Sequence, residues 1–115
     1  MSQHKFTTMH DNDEIVVVTL GWDRPLQGFF MSIVKNPNPG KTIDEHNPVY
    51  LFNCLDQDES HPREISGFLF ELAHRGIVIP QQMLNELLSD NTDNIGNKIV
   101  DHRYVNGEYV REQTL

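Results

Sequence analysis

Residues 15–34 read IVVVTLGWDRPLQGFFMSIV, two apolar runs joined by a polar connection that carries a proline. The first run is rich in β-branched residues and the second in aromatic and aliphatic ones, the composition of strands. GWDRPLQ is seven residues long, more than a tight hairpin needs, so Gly21 and Gly28 are expected to supply unusual dihedrals at its two ends. Pro25 biases Arg24 towards extended geometry. Trp22 has two readings: a lid folded back on the core, with Asp23 and Arg24 paired beside it, or an exposed interface anchor together with Arg24, since Trp and Arg dominate binding hot spots. Both strands are apolar on both faces. They are therefore central strands, covered on both sides by the chain or on one side by helices and on the other by a second subunit.

Two more strands flank this pair. Lys5–Met9 alternates Phe, Thr and Met and is joined to the central pair by HDNDE, a polar stretch suited to a turn. Val49–Cys54 (VYLFNC) follows KNPNPGKTIDEHNP, whose three prolines and one glycine predict a long surface loop. Beyond it the periodicity changes from two to 3.6. Ser60 as N-cap, Pro62 in the first turn and Glu64 near the positive end predict a helix to about Arg75, with Ile65, Phe68, Leu69 and Leu72 on one stripe. Gly76 ends it. Pro80 opens a second helix with Met83, Leu84, Leu87 and Leu88 in register. The predicted class is α+β: an antiparallel meander of about four strands followed by two helices packed on one face. Residues 1–115 make a single domain, in which 102–115 are either a C-terminal hairpin turning at Asn106-Gly107 or a disordered tail.

Charge narrows the function. Seventeen acidic against nine basic side chains give a formal net charge of −8, and mean hydropathy is −0.50. Such a surface repels phosphate backbones and anionic lipid, so neither direct nucleic-acid binding nor membrane attachment is expected. A single cysteine, no signal-like N-terminus and no membrane-length apolar run point to the cytoplasm.

Motifs for chemistry are sparse. Six histidines include no pair at i, i+3 or i+4 and the lone Cys54 has no neighbouring cysteine, so the spacing of a structural zinc site is missing. His46, Cys54 and His61 are the weak metal candidates, as a set assembled only in three dimensions. Cys54, at the end of an apolar strand, reads as a small buried hydrophobe rather than a nucleophile. A calcium loop starting at Asp56 lacks the turn glycine and closing glutamate, one starting at Asp90 has weak ligands in Thr92 and Asn94 and closes on Asp101, and phosphate loops, GxSxG and HExxH are absent. No catalytic residue and no cofactor are assigned, and an enzyme is the less favoured class. The expectation is a small acidic binding or regulatory protein whose partner is another protein, itself included as a homodimer. Its interface candidates are Trp22, Arg24, Asp44, Glu45, Asp56, Asp58 and Glu59. Two alternatives stand beside it: a small enzyme or metal-binding protein using His, Asp and Glu near the fourth strand, and an acidic inhibitor that mimics nucleic acid.

Overall fold

The computed structural model describes residues 1–9, 15–35, 49–57 and 59–114. The long IVVVTLGWD run forms β2 (Ile15–Asp23), which pairs antiparallel with β1 (Ser2–Met9) on one side and β3 (Gly28–Lys35) on the other. β4 (Val49–Asn53) adds to β3 with a register shift at Ile33 and Val34. A short 3₁₀ turn, Cys54–Asp56, leads to α1 (Ser66–His74) and α2 (Gln81–Thr92). The chain then returns to the sheet as β5 (Lys98–Val105) and β6 (Glu108–Gln113).

The expected α+β class is found, and the expected four-stranded antiparallel meander makes four of the six strands. Among the described residues the sheet has six strands in the order β4-β3-β2-β1-β5-β6, and it is mixed because β5 runs parallel to β1. The physical reason is the helical connection, which carries the chain from the β4 edge across one face to the far side of β1. Of the two readings of the tail, the hairpin is observed: Asn106 and Gly107 both have positive φ, 52° and 81°, the geometry of a two-residue primed turn. Pairing of Ser2 with Lys98 through Phe6 with His102 ties this hairpin into the sheet.

Register decides which side chains meet. Phe6, Val18 and Ile33 lie in one row across β1, β2 and β3; His4, Leu20 and Met31 in the next; Ser2, Trp22 and Phe29 in the third. All nine are buried on the face that the helices cover. Phe68 and Leu72 of α1, and Met83 and Leu87 of α2, close the core from above, with the rings of Phe52 and Phe68 in edge contact at 6.1 Å. Leu88, expected on the core stripe of α2, is 41% exposed, and Asp90 takes the buried place one turn along. The opposite face presents Val17, Thr19, Phe30 and Ser32, all partly buried.

The connection after β2 is shorter than its sequence suggests. β2 continues through Gly21, Trp22 and Asp23, which pair with Phe30, Phe29 and Gly28, so only residues 24–27 turn the chain. The two glycines serve close approach rather than turning: a Cβ on Gly21 would lie 2.0 Å from the Ser2 carbonyl oxygen, and one on Gly28 would lie 2.2 Å from that of His61. The left-handed residue is Gln27, at φ 50°.

The helix starts also differ in part. Ser60 is not an N-cap; its hydroxyl meets His61 Nδ1 at 3.0 Å, while the Pro62 carbonyl accepts the Phe29 N–H at 2.8 Å. Docking of residues 61–62 on β3 delays α1 until Ser66, where Ile65 holds the cap position without a side-chain hydrogen bond. Gly76 at φ 70° ends α1, with the Ile77 N–H reaching back to the Leu72 carbonyl at 2.9 Å, and Pro80 caps α2 as expected.

Candidate functional site

Two features stand apart from the apolar core. The first is an open groove of about 780 Å³ between the 24–27 turn and the segment from Gln57 to Glu71. Leu26, Phe52 and Phe68 give it apolar wall, and Glu59, Glu64 and Glu71 line it beside Arg63, with Glu71 paired to Arg75 Nε at 2.8 Å. Leu26 is 60% exposed, an apolar side chain held out at the tip of a turn that is itself braced. The bracing comes from Asp23, whose Oδ1 accepts the Leu26 N–H at 3.1 Å, and from Gln27, whose amide donates to the Arg24 carbonyl and to Asn94 Oδ1. The other carboxylate oxygen of Asp23 stands 4.0 Å from His61 Nε2.

The second is a buried polar chain where β1, β5, β6 and α2 meet. Alternation along β1 puts Ser2 and His4 on the helix face, and the parallel register with β5 brings Lys98 and His102 alongside. From above, α2 contributes Glu86 and Asp90; β6 contributes Tyr109 and Arg111. His4 and His102 are 0% and 1% exposed. His4 Nε2 lies 2.5 Å from Asp90 Oδ2, His4 Nδ1 lies 2.8 Å from His102 Nε2, and His102 Nδ1 lies 2.5 Å from the Tyr109 hydroxyl. A carboxylate only accepts, so His4 donates Nε2–H to Asp90. One order of donors then satisfies every contact with neutral rings: Tyr109 O–H to His102 Nδ1, His102 Nε2–H to His4 Nδ1, His4 Nε2–H to Asp90.

Charge is balanced around this chain. Lys98 Nζ reaches Asp90 Oδ1 at 2.8 Å and Glu86 Oε2 at 2.6 Å, and Arg111 grips both oxygens of Glu86. The Arg111 guanidinium holds the Glu86 carboxyl down at about 2. Burial works to raise the Asp90 carboxyl, but hydrogen bonds from His4, Lys98 and Ser2 outweigh it and leave it below its ordinary value. Burial, then the adjacent His4, pushes the His102 imidazole down to about 4. Burial and the Glu86 charge raise the Tyr109 phenol. His102 is therefore neutral at pH 7. One donor atom from each of His4, Glu86 and His102 lies within 4.8 Å of the others.

The residues singled out from sequence separate cleanly. Trp22 is 3% exposed, packs edge-on against Phe29 at 5.2 Å and donates its indole N–H to Asn94 at 3.2 Å, so it belongs to the core. Asp23 and Arg24 do not pair: Asp23 faces Leu26 and His61, and the exposed Arg24 guanidinium lies over Gly96. Asp56 and Glu59 are exposed, and Glu59 lines the groove. Asp44, Glu45, His46 and Asp58 lie outside the described residues. Cys54 is buried, and with His61 it borders a smaller cavity of about 260 Å³ beside Tyr50 and Phe30.

Sequence spacing missed His4, Asp90 and His102, because side chains drawn from β1, α2 and β5 converge through strand register and helix packing rather than through i, i+4 repeats. The available signal was the polar His4 between Phe6 and the chain start on an alternating strand, and Asp90 at the i+7 place of the Met83 and Leu87 stripe. Comparison of the chain with protein-family models, with curated proteins and with solved structures finds no match.

Proposed function

We propose that this chain is a small acidic binding protein, without catalytic activity of its own, that holds a basic segment of another protein in the groove beside the 24–27 turn. One observation carries the reading: the fold brings the exposed Leu26 tip together with Glu59, Glu64 and Glu71, two separate sequence features in one groove. An apolar contact flanked by carboxylates suits a peptide with alternating basic and apolar side chains, and the net charge of −8 steers such a partner in. Among the described residues no helix is long and apolar enough to cross a membrane. A second copy of the chain is a candidate for the opposite sheet face, which carries the partly buried Val17 and Phe30 and the 47% exposed Tyr50.

Affinity capture from cell extract tests this, with wild-type bait beside Leu26→Asp and Glu64→Lys baits. The expected result is a partner with a basic segment, released by high salt and lost from both variants. Capture that survives both substitutions and high salt refutes the groove as the contact, and capture of a nucleic-acid-binding protein competed by DNA or RNA marks the mimic instead. Light scattering reads self-association separately, and a monomeric mass at high micromolar concentration removes the dimer.

A further inference from the structure

We propose that His4, His102 and Glu86 form a binding site for a divalent transition-metal ion of the zinc class, buried between the sheet and α2 and independent of the groove. The three donor atoms already lie within 4.8 Å of one another, and the two histidines are fully buried. Zinc prefers imidazole nitrogen with carboxylate oxygen, and such sites are built from about three or four ligands.

The orientation of the rings is the stronger argument. A ligating histidine ordinarily donates its other ring N–H to a carboxylate or another acceptor, which fixes tautomer and direction. His4 is already held in that way, and His102 has a partner in place that can accept its other N–H once its proton moves to Nδ1. Asp90 takes His4 Nε2–H, leaving Nδ1 as a lone pair aimed at His102. The Tyr109 hydroxyl sits on His102 Nδ1, leaving Nε2 aimed at His4. The facing nitrogens are 2.8 Å apart, whereas two nitrogens on one tetrahedral zinc are about 3.3 Å apart, so the rings need to open by only about 0.5 Å.

Protons balance. Without metal, His102 carries its proton on Nε2 and donates it to His4. On binding, that proton is carried by Nδ1 instead and donated to the Tyr109 oxygen, whose own O–H turns towards solvent; both imidazoles stay neutral and none is released. Glu86 must be freed from Arg111, whose side chain is 37% exposed and can move into water. Lys98 keeps its bond to Asp90 when it leaves Glu86. The ion reaches the site from this same partly exposed side, past Arg111. Arg111 is thus a competitor of the metal for Glu86, and its removal should tighten binding.

Cobalt(II) is the probe, titrated into chelator-treated protein and followed by its visible absorption, with zinc(II) used to displace it. The expected result is one equivalent bound with the intense bands of a low-coordinate site. Glu86→Gln, at a partly exposed side chain, should weaken binding at least tenfold; Arg111→Ala should tighten it; His74→Ala, on the outer side of α1, should change nothing. His102→Gln should abolish the bands, and circular dichroism of each variant separates loss of the site from loss of the fold. Absence of stoichiometric binding by wild type overturns the proposal. So does binding that Glu86→Gln and His102→Gln leave intact while His74→Ala removes it.

Discussion

Replacing Trp22 with alanine distinguishes a core residue from a contact residue. The indole is 3% exposed, stacked edge-on against Phe29, and closes the row that Ser2, Trp22 and Phe29 make across three strands. Truncating a buried Trp costs about 3–5 kcal/mol through lost burial and the cavity left behind. The lost indole hydrogen bond adds little, because Asn94 Oδ1 keeps the Gln27 amide at 2.9 Å. About 4 kcal/mol is a large part of the roughly 5–15 kcal/mol that such a domain has. In urea, with a slope of about 2 kcal/mol per molar, the midpoint should fall by about 2 M. Trp22→Phe keeps most of the packing and should lose about 1–2 kcal/mol. A midpoint for Trp22→Ala within about 0.5 M of wild type, with loss of partner capture, would refute the core assignment and return Trp22 to the interface.

Three further outcomes are expected. In the presence of a chelator, acid should destabilise the fold: His102 has a folded value of about 4 against 6.5 unfolded, so the unfolded chain binds the extra proton between these values. Its contribution, on the order of 3 kcal/mol, is present above pH 6.5 and lost as pH falls towards 4; urea midpoints at pH 7 and pH 4.5 that coincide would contradict the burial of a neutral imidazole. Gly21→Ala places a Cβ 2.0 Å from the Ser2 carbonyl oxygen and 2.2 Å from the Phe30 ring, so β1 and β2 must separate locally and stability should drop by about 2 kcal/mol or more. Asp90→Asn removes the carboxylate shared by His4 and Lys98 and should cost about 3 kcal/mol at pH 7, read by thermal or urea unfolding, whereas Asp56→Asn on the exposed 3₁₀ turn should cost nothing measurable.

Local signals account for much of the architecture. β2 and β3 follow from their β-branched and aromatic runs, the end of α1 from Gly76, the start of α2 from Pro80, and the C-terminal hairpin, as one of two readings, from Asn106-Gly107. Each depends on a dihedral preference or a periodicity contained within a few residues. The N-cap of α1 lies at Ile65, five residues beyond the expected Ser60, because a tertiary bond, Phe29 N–H to the Pro62 carbonyl, ties the intervening segment to β3. Gly21 and Gly28 serve close approach rather than turning for a similar reason: the crowding by Ser2, Phe30 and His61 leaves no mark in the local sequence.

From residues alone came an acidic α+β domain, its two central strands and two amphipathic helices, since burial of alternating or helically spaced apolar side chains is read within one element. Only the tertiary structure decided that β5 lies parallel beside β1, joining residues 2–6 to 98–102. That one pairing makes the sheet mixed, orders the tail, and draws His4, Asp90 and His102, more than eighty residues apart for His4 and Asp90, into a single hydrogen-bonded line. Pairing of distant strands depends on backbone hydrogen bonds that every residue offers alike, so it appears in no motif. GWDRPLQ divides along the same boundary: Trp22 belongs to the core by its neighbours in the sheet, and Leu26, unremarked by composition, is the apolar side chain left exposed at the turn.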